Sequence, residues 1–229
     1  MDGPPELSVR IPNSIDVPKD ACLLSKLSKN LVIDFLLLTA VDCEFLSCFY
    51  YLQEPLTYYD TKTGFVFVGK MGDESKQEKL TIGLVKCDMG SGVGGSASTV
   101  QNVVTILRPK GVFCVGFCGG MNASKANLGD VVVSEKLISY ALHKVTDSGT
   151  ERRGTIVPLN KKVNGIMKHA GDGWDPPLKN KEREVQVVNG TMLSGPTLVN
   201  SKQERDRLLE DYPTAIAIEM EGEGNISLK

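Results

Sequence analysis

The sequence predicts an α/β layered fold around a central sheet. Three observations carry this reading. Near-continuous apolar runs, Leu31 to Ala40 foremost, have the length and character of strands buried on both faces. Segments with helical spacing alternate with those runs. Glycine-bearing turns at 90–95 and 116–120 follow two of the strands, as loops do in strand–turn–helix units.

Met1 to Asn30 has no clear periodicity and is broken by Pro4, Pro5, Pro12 and Pro18, so it reads as an arm or linker with one short helix around Ala21 to Leu27. Leu31 to Ala40 is the first buried strand, and Cys43 to Leu52 follows with helical spacing. Phe65 to Met71 and Leu80 to Cys87 form a strand pair joined by the charged loop Gly72 to Lys79. After the glycine loop, Ser96 to Leu107 is a helix that Ser96 or Ser98 can cap, and Pro109 blocks its continuation. Gly111 to Gly116 is a strand running into Phe117-Cys118-Gly119-Gly120, and Asp130 to Ser134 is another. Asp147 to Glu184 is polar and broken, with a helix over Lys161 to His169. Val185 to Met192, the charged helix Lys202 to Glu210 and the strand Ala215 to Met220 complete the chain. There is no internal repeat and no sign of a second domain, so the expected organisation is an arm over 1–30 and one domain over 31–229.

The 229 residues are 41% hydrophobic and 24% charged, enough for a sizeable core. A formal net charge of −2 argues against nucleic acid or a membrane surface as partner, because both usually select a basic face. The six cysteines include no C-x-x-C pair, and neither His lies near one, so no metal site is expected. They read as reduced core thiols of a cytoplasmic protein. Met1 to Lys29 carries charges and prolines unlike a signal peptide, and Phe35 to Ala40 is far too short to span a bilayer.

Several segments carry chemistry. Gly90-Ser91-Gly92-Val93-Gly94-Gly95 matches G-x-G-x-x-G between a strand and a helix. A dinucleotide site would need an acid at the end of the next strand, and Gly111 to Gly116 ends in Phe117, Cys118 and glycines, so no cofactor is expected. The loop still offers backbone amides to an anion or sugar, or it is simply a tight turn. Asp42 and Glu44 follow the first strand, where a carboxylate serves either as general base on water or as an ordinary acid in a helix's first turn. Glu219-Met220-Glu221 closes the apolar run Ala215 to Ile218. Alternation at the end of this strand puts both carboxylates on one face, where they can accept hydrogen bonds from sugar hydroxyls. In α/β sheets ligands collect at the carboxyl ends of strands, where the loops at 42–44, 90–95, 117–120, 194–199 and 219–221 are expected to converge.

Taken together and in order, Thr39 to Glu44, Gly90 to Gly95, Gly116 to Gly120 with Leu128 to Ser134, and Ser194-Gly195 leading to Ala217 to Gly222 resemble the nucleoside phosphorylase and nucleosidase superfamily. Its methylthioadenosine/adenosylhomocysteine nucleosidase branch is the nearest in pattern. The resemblance implies a three-layer α/β/α sandwich around a mixed, partly barrelled sheet. It implies cleavage of the N-glycosidic bond of a purine nucleoside or nucleotide, without a cofactor. Glu44 resembles the acid that activates water, and Glu221 the carboxylate that binds ribose hydroxyls beside Glu219, with Met220 beneath the sugar. Phe117, Cys118 and Gly119 would line the ribose and base pocket, Leu198 and Val199 would hold the base, and the amides from Gly92 would approach the ligand.

Phosphorolysis usually uses arginines near the first strand and the glycine loop, and neither Val41 to Leu52 nor Lys86 to Leu107 contains one. Water is therefore the expected nucleophile, with phosphorolysis as the alternative. In the family a further strand ends in an Asp that protonates purine N7, whereas here only Asn225 to Lys229 follow Gly224. On this reading the chain is C-terminally truncated, lacking the last strand and helix, and a catalytically inactive nucleoside-binding or interaction module is a second alternative. Family members assemble as dimers, trimers or hexamers, which leaves a homo-oligomer open.

Overall fold

Three apolar strands side by side give the first half of the chain its centre, and their alternating side chains explain the layers above and below. The computed structural model describes residues 5–28, 30–73, 79–89, 96–147 and 149–222. Within these, contacts separate two compact units, 11–117 and 5–10 with 118–222.

The first unit contains β1 (Cys22–Leu23), β2 (Phe35–Thr39), α1 (Asp42–Tyr50), β3 (Gln53–Asp60), β4 (Gly64–Met71), β5 (Leu80–Lys86), α2 (Ser96–Leu107) and β6 (Gly111–Cys114). Its mixed sheet has the order β1-β3-β4-β5-β2-β6. β2 runs parallel to both β5 and β6. Leu36 and Leu38 of β2 join Val66, Val68 and Val85 in a core with Val100, Val103 and Leu107 of α2. Phe35 and Leu37 turn to the other face, where Phe67, Ile82 and Leu84 meet Phe45 and Cys48 of α1. This period-two division makes the unit three layers, helix on sheet on helix.

The second unit contains β7 (Gly119–Gly120), β8 (Val131–Ser139), β9 (His143–Thr146), β10 (Gly149–Arg152), β11 (Ile156–Pro158), α3 (Lys161–Met167), β12 (Val187–Ser194), α4 (Lys202–Asp211) and β13 (Ala215–Glu219). Its sheet has the order β11-β8-β12-β13-β7, while β9 and β10 pair by themselves. β12 is parallel to β8 and β13, and the edge strands β11 and β7 are antiparallel. Ile138, Tyr140, Leu193, Ala215 and Ile218 form its core with Leu208 of α4. The expected mixed α/β architecture is present, its strands forming two mixed sheets and a hairpin.

Several local expectations are corrected. Ala21 to Leu27 is no α-helix: Cys22–Leu23 pairs with β3, a 3₁₀ turn covers Leu24–Lys26, and Leu24 is buried in the core of the first unit. The arm is also tied down earlier, in the second unit. Leu7 bridges to Leu178, and Ser8 N–H and Glu6 C=O bond the backbone of Pro177 and Lys179. β3 carries no clear strand pattern in the sequence because Pro55 interrupts it; the strand forms with a shifted register there and Glu54 at a φ of 49°. β8 extends past Ser134 to Ser139 although Glu135 and Lys136 break its apolar run. Strands β10 and β11 occupy part of the segment read as broken.

Candidate functional site

In the first unit, β2 ends at Thr39, where its neighbours hold it: Cys87 N–H donates to Thr39 C=O and Val115 N–H to Leu38 C=O. Ala40 and Val41 turn the chain into α1, leaving amides at the helix start without helical partners. Glu44, third residue of α1, reaches back to them. Its Oε2 accepts Ala40 N–H at 2.9 Å and Val41 N–H at 3.1 Å. Its Oε1 accepts Phe117 N–H at 3.1 Å. A carboxylate has about four acceptor positions, so three are engaged and one remains. Gly116 makes the approach possible, since a Cβ there would stand 2.5 Å from Glu44 Oε1.

The neighbours of Glu44 differ from it in kind. Asp42 points to solvent and pairs with Lys86 at 2.5 Å, with side chains 72% and 41% exposed, a pair contributing about 1 kcal/mol or less. Cys48, one turn beyond Glu44, is buried, which pushes its thiol up to about 11, with the Glu44 charge adding to the shift. The Phe117 side chain is 70% exposed.

In the second unit, Glu219 ends β13 opposite Ser194 of β12. The strand stops there, so alternation does not carry to Glu221 and the two carboxylates do not share a strand face as expected. Glu219 turns back instead: its Oε2 accepts Glu221 N–H at 2.8 Å and Gly222 N–H at 2.7 Å. Burial raises the Glu219 carboxyl above its ordinary value, opposed by the Ser194 hydroxyl and these two amides. The neighbouring Cys118 thiol is raised by burial first and by the Glu219 charge second. Gly119 pairs with Ile218, so Cys118 and Gly119 flank β13. Met220 and Glu221 are half-buried.

The segment after β12 is braced by Tyr140, whose hydroxyl donates to Thr197 C=O at 3.1 Å. Gly195 lies against the Tyr140 ring, where a Cβ would come within 2.6 Å, and its N–H donates to Glu219 C=O. Leu198 is 78% exposed, while Val199 is half-buried against the core of the second unit.

The structure thus joins Glu44 to Phe117 in one unit, and Cys118, Gly119 and Glu219 to Glu221 in the other. Gly92 lies outside the described residues. Gly116, Ser194, Tyr140 and Gly195 were not singled out for the roles the structure gives them. The glutamate three residues into α1 was the one available signal for its amide contacts, obscured by Val41 where a polar cap is customary. A cavity of about 400 Å³ in the second unit, lined by Asp130, Asp175, Lys181 and Arg183 among others, includes none of the predicted site residues. Among the described residues there is no cluster suited to a metal and no helix long and apolar enough to cross a membrane. None of the six cysteines is in a disulfide, but Cys22, Cys43 and Cys114 are exposed rather than core residues. Cys22 and Cys114 lie on the edge strands β1 and β6, and Cys43 in the first turn of α1.

A family model described as Phosphorylase superfamily matches residues 56–223. The chain is 32% identical over 216 residues to a death domain-containing ATP nucleosidase of Amphimedon queenslandica, a match covering 84% of this chain and 39% of that protein. It is 25% identical over 154 residues to a 5′-methylthioadenosine/S-adenosylhomocysteine nucleosidase of Desulfotalea psychrophila, covering 62% of this chain and 58% of that one. The chain therefore spans about two-fifths and three-fifths of the length of these two relatives. The crystal structure of a 5′-methylthioadenosine/S-adenosylhomocysteine nucleosidase from Colwellia psychrerythraea 34H, in complex with adenine, aligns with a TM-score of 0.66 at 17% identity. That alignment covers 85% of this chain and 75% of that one. A likeness at this identity is one of fold.

Proposed function

Since this chain belongs to the phosphorylase superfamily, we propose that it hydrolyses the N-glycosidic bond of a purine nucleoside or nucleotide and releases the base. The observation that carries the reading is the seat of Glu44: three backbone amides fix the carboxylate and leave about one acceptor position for a water. The names of the two relatives, nucleosidases of ATP and of methylthioadenosine and adenosylhomocysteine, support the same class.

In this reaction the water held by Glu44 attacks the anomeric carbon. A C–O bond forms, the C–N bond breaks with its electron pair going to the base, the water proton passes to Glu44 and from there to solvent, and the base takes up a proton from solvent. Glu221 accepts hydrogen bonds from the ribose hydroxyls, with Met220 against the sugar. Phe117, Cys118 and Gly119 line the pocket, and Leu198 and Val199 contact the base. Water is favoured over phosphate because 41–52 and 86–107 hold no arginine for a dianion. Six cysteines without a disulfide suit a reducing compartment such as the cytoplasm.

The test is chromatography of adenosine, methylthioadenosine, adenosylhomocysteine and ATP incubated with the protein, with and without phosphate. Adenine release in its absence supports hydrolysis. Release only with phosphate would replace water by phosphate as nucleophile, and no release from a folded sample would leave a binding or interaction module.

A further inference from the structure

Glu219 and Glu221 enclose one methionine, yet the structure treats them differently. Glu219 is the last residue of β13, in register with Ser194 on one side, while Ile218 before it pairs with Gly119 on the other. Its own C=O receives Gly195 N–H, so its backbone is fixed. Its Oε2 receives Glu221 N–H and Gly222 N–H together. One carboxylate oxygen thus holds the turn over 220–222 as a capping side chain holds the start of a helix. Gly222 is suited to this: a Cβ there would lie 2.7 Å from Glu219 Oε1 and 2.9 Å from Leu137 Cδ2.

We infer that Glu219 is a positioning residue that sets the backbone of Met220 and Glu221, and that it acts on substrate through Glu221. The inference rests on the proposed role of Glu221 at the ribose. It departs from the expectation that both acids bind the sugar. The geometry asks for an acceptor oxygen at one distance from two amides; charge is secondary. Gln supplies that oxygen, and its NH₂ takes the place of Oε1, which is buried and accepts no hydrogen bond. Asp keeps the charge but withdraws the oxygen by roughly 1.5 Å.

The experiment compares Glu219→Gln, Glu219→Asp, Glu219→Ala, Glu221→Ala and the Glu219→Ala/Glu221→Ala double variant of the full chain. It measures base release, and amide hydrogen exchange at Glu221 and Gly222 by NMR. Glu219→Gln is expected to keep kcat/KM within a few-fold and both amides protected. Glu219→Asp and Glu219→Ala should lose roughly 10- to 100-fold, as for a reactive group misplaced by about 1 Å. Their exchange at these two amides should rise by about 10-fold or more while distant strands stay protected. In the double variant Glu219→Ala should add nothing to the loss from Glu221→Ala. Equal losses in Glu219→Gln and Glu219→Ala with both amides still protected would overturn the inference and give Glu219 a direct role at the substrate. If the wild type releases no base, it is the proposed function that has failed, and exchange alone decides whether Glu219 sets the turn.

Discussion

The backbone N–H of Phe117 donates to Oε1 of Glu44 at 3.1 Å, joining residues 73 apart in sequence. The other oxygen of Glu44 takes the amides of Ala40 and Val41. One side chain thereby ties the turn after β2 to the segment after β6, and its own position is set by backbone from both. A carboxylate so held loses little rotamer freedom when it receives a water.

Gly116→Ala tests that seat without touching the carboxylate. The new Cβ would stand 2.5 Å from Oε1 and 3.0 Å from Cδ of Glu44. Either Glu44 swings away or the Phe117 amide moves, and both break the 3.1 Å bond. Steady-state kinetics should show kcat reduced by roughly 10- to 100-fold with KM little changed. A kcat equal to wild type would mean that the Glu44–Phe117 bond is dispensable.

Glu44 carries structure as well as chemistry, so its variants separate two effects. Glu44→Ala leaves the amides of Ala40, Val41 and Phe117 without their acceptor, a destabilisation of about 1–3 kcal/mol. Glu44→Gln keeps one oxygen for Ala40 and Val41 but turns an NH₂ toward the Phe117 amide, and should cost about 1 kcal/mol. Denaturant unfolding should rank wild type above Gln above Ala. Base release should be abolished in both, because neither residue accepts the proton of water.

These contacts mark where the sequence could be read and where it could not. The end of α2 was legible because its apolar spacing stops at Leu107, just before Arg108 and Pro109. The Phe35–Thr39 strand was legible because both of its faces are apolar. β3 was not, because Pro55 hides the alternation that pairing with β4 restores through a register shift. Within the candidate site, Glu44 and Glu219 could be named from their places at strand ends, but their hydrogen-bond partners could not. Those partners are backbone amides, which every residue except proline possesses, so no residue type announces them. Gly116 and Gly195 were visible as glycines, but their purpose lies in the Glu44 carboxylate and the Tyr140 ring that occupy the space of a Cβ.

Tyr140→Phe should loosen the segment that carries Leu198 and Val199. The hydroxyl donates to Thr197 C=O at 3.1 Å, while the ring is buried in the core of the second unit. Phe keeps the ring and its contact with Gly195, so the loss is one hydrogen bond, about 0.5–1.5 kcal/mol of stability. If Leu198 and Val199 hold the base, KM should rise about threefold to tenfold with kcat nearly constant. An unchanged KM together with the expected drop in unfolding midpoint would confine Tyr140 to stability.

Asp34 gives the first unit a pH-dependent tie at the starts of its parallel strands. Its Oδ1 lies 2.6 Å from Lys110 Nζ and its Oδ2 accepts Thr81 N–H at 2.8 Å, so one side chain joins the beginnings of β2, β5 and β6. The Lys110 hydrogen bond first, and the Thr81 amide second, hold the Asp34 carboxyl below its ordinary value of 3.8. A carboxyl lowered on folding contributes stability that is fully present above its unfolded value and is lost as pH falls through the folded one. Asp34→Asn should therefore cost about 1 kcal/mol at pH 7, a modest figure because the Lys110 side chain is 65% exposed and screened by solvent. The cost should hold constant down to about pH 5 and shrink as the pH falls below 3.8, where wild-type Asp34 itself becomes protonated. Urea unfolding of both proteins across that range measures the difference directly, and a gap that widened toward acid would reverse the sign assigned to Asp34.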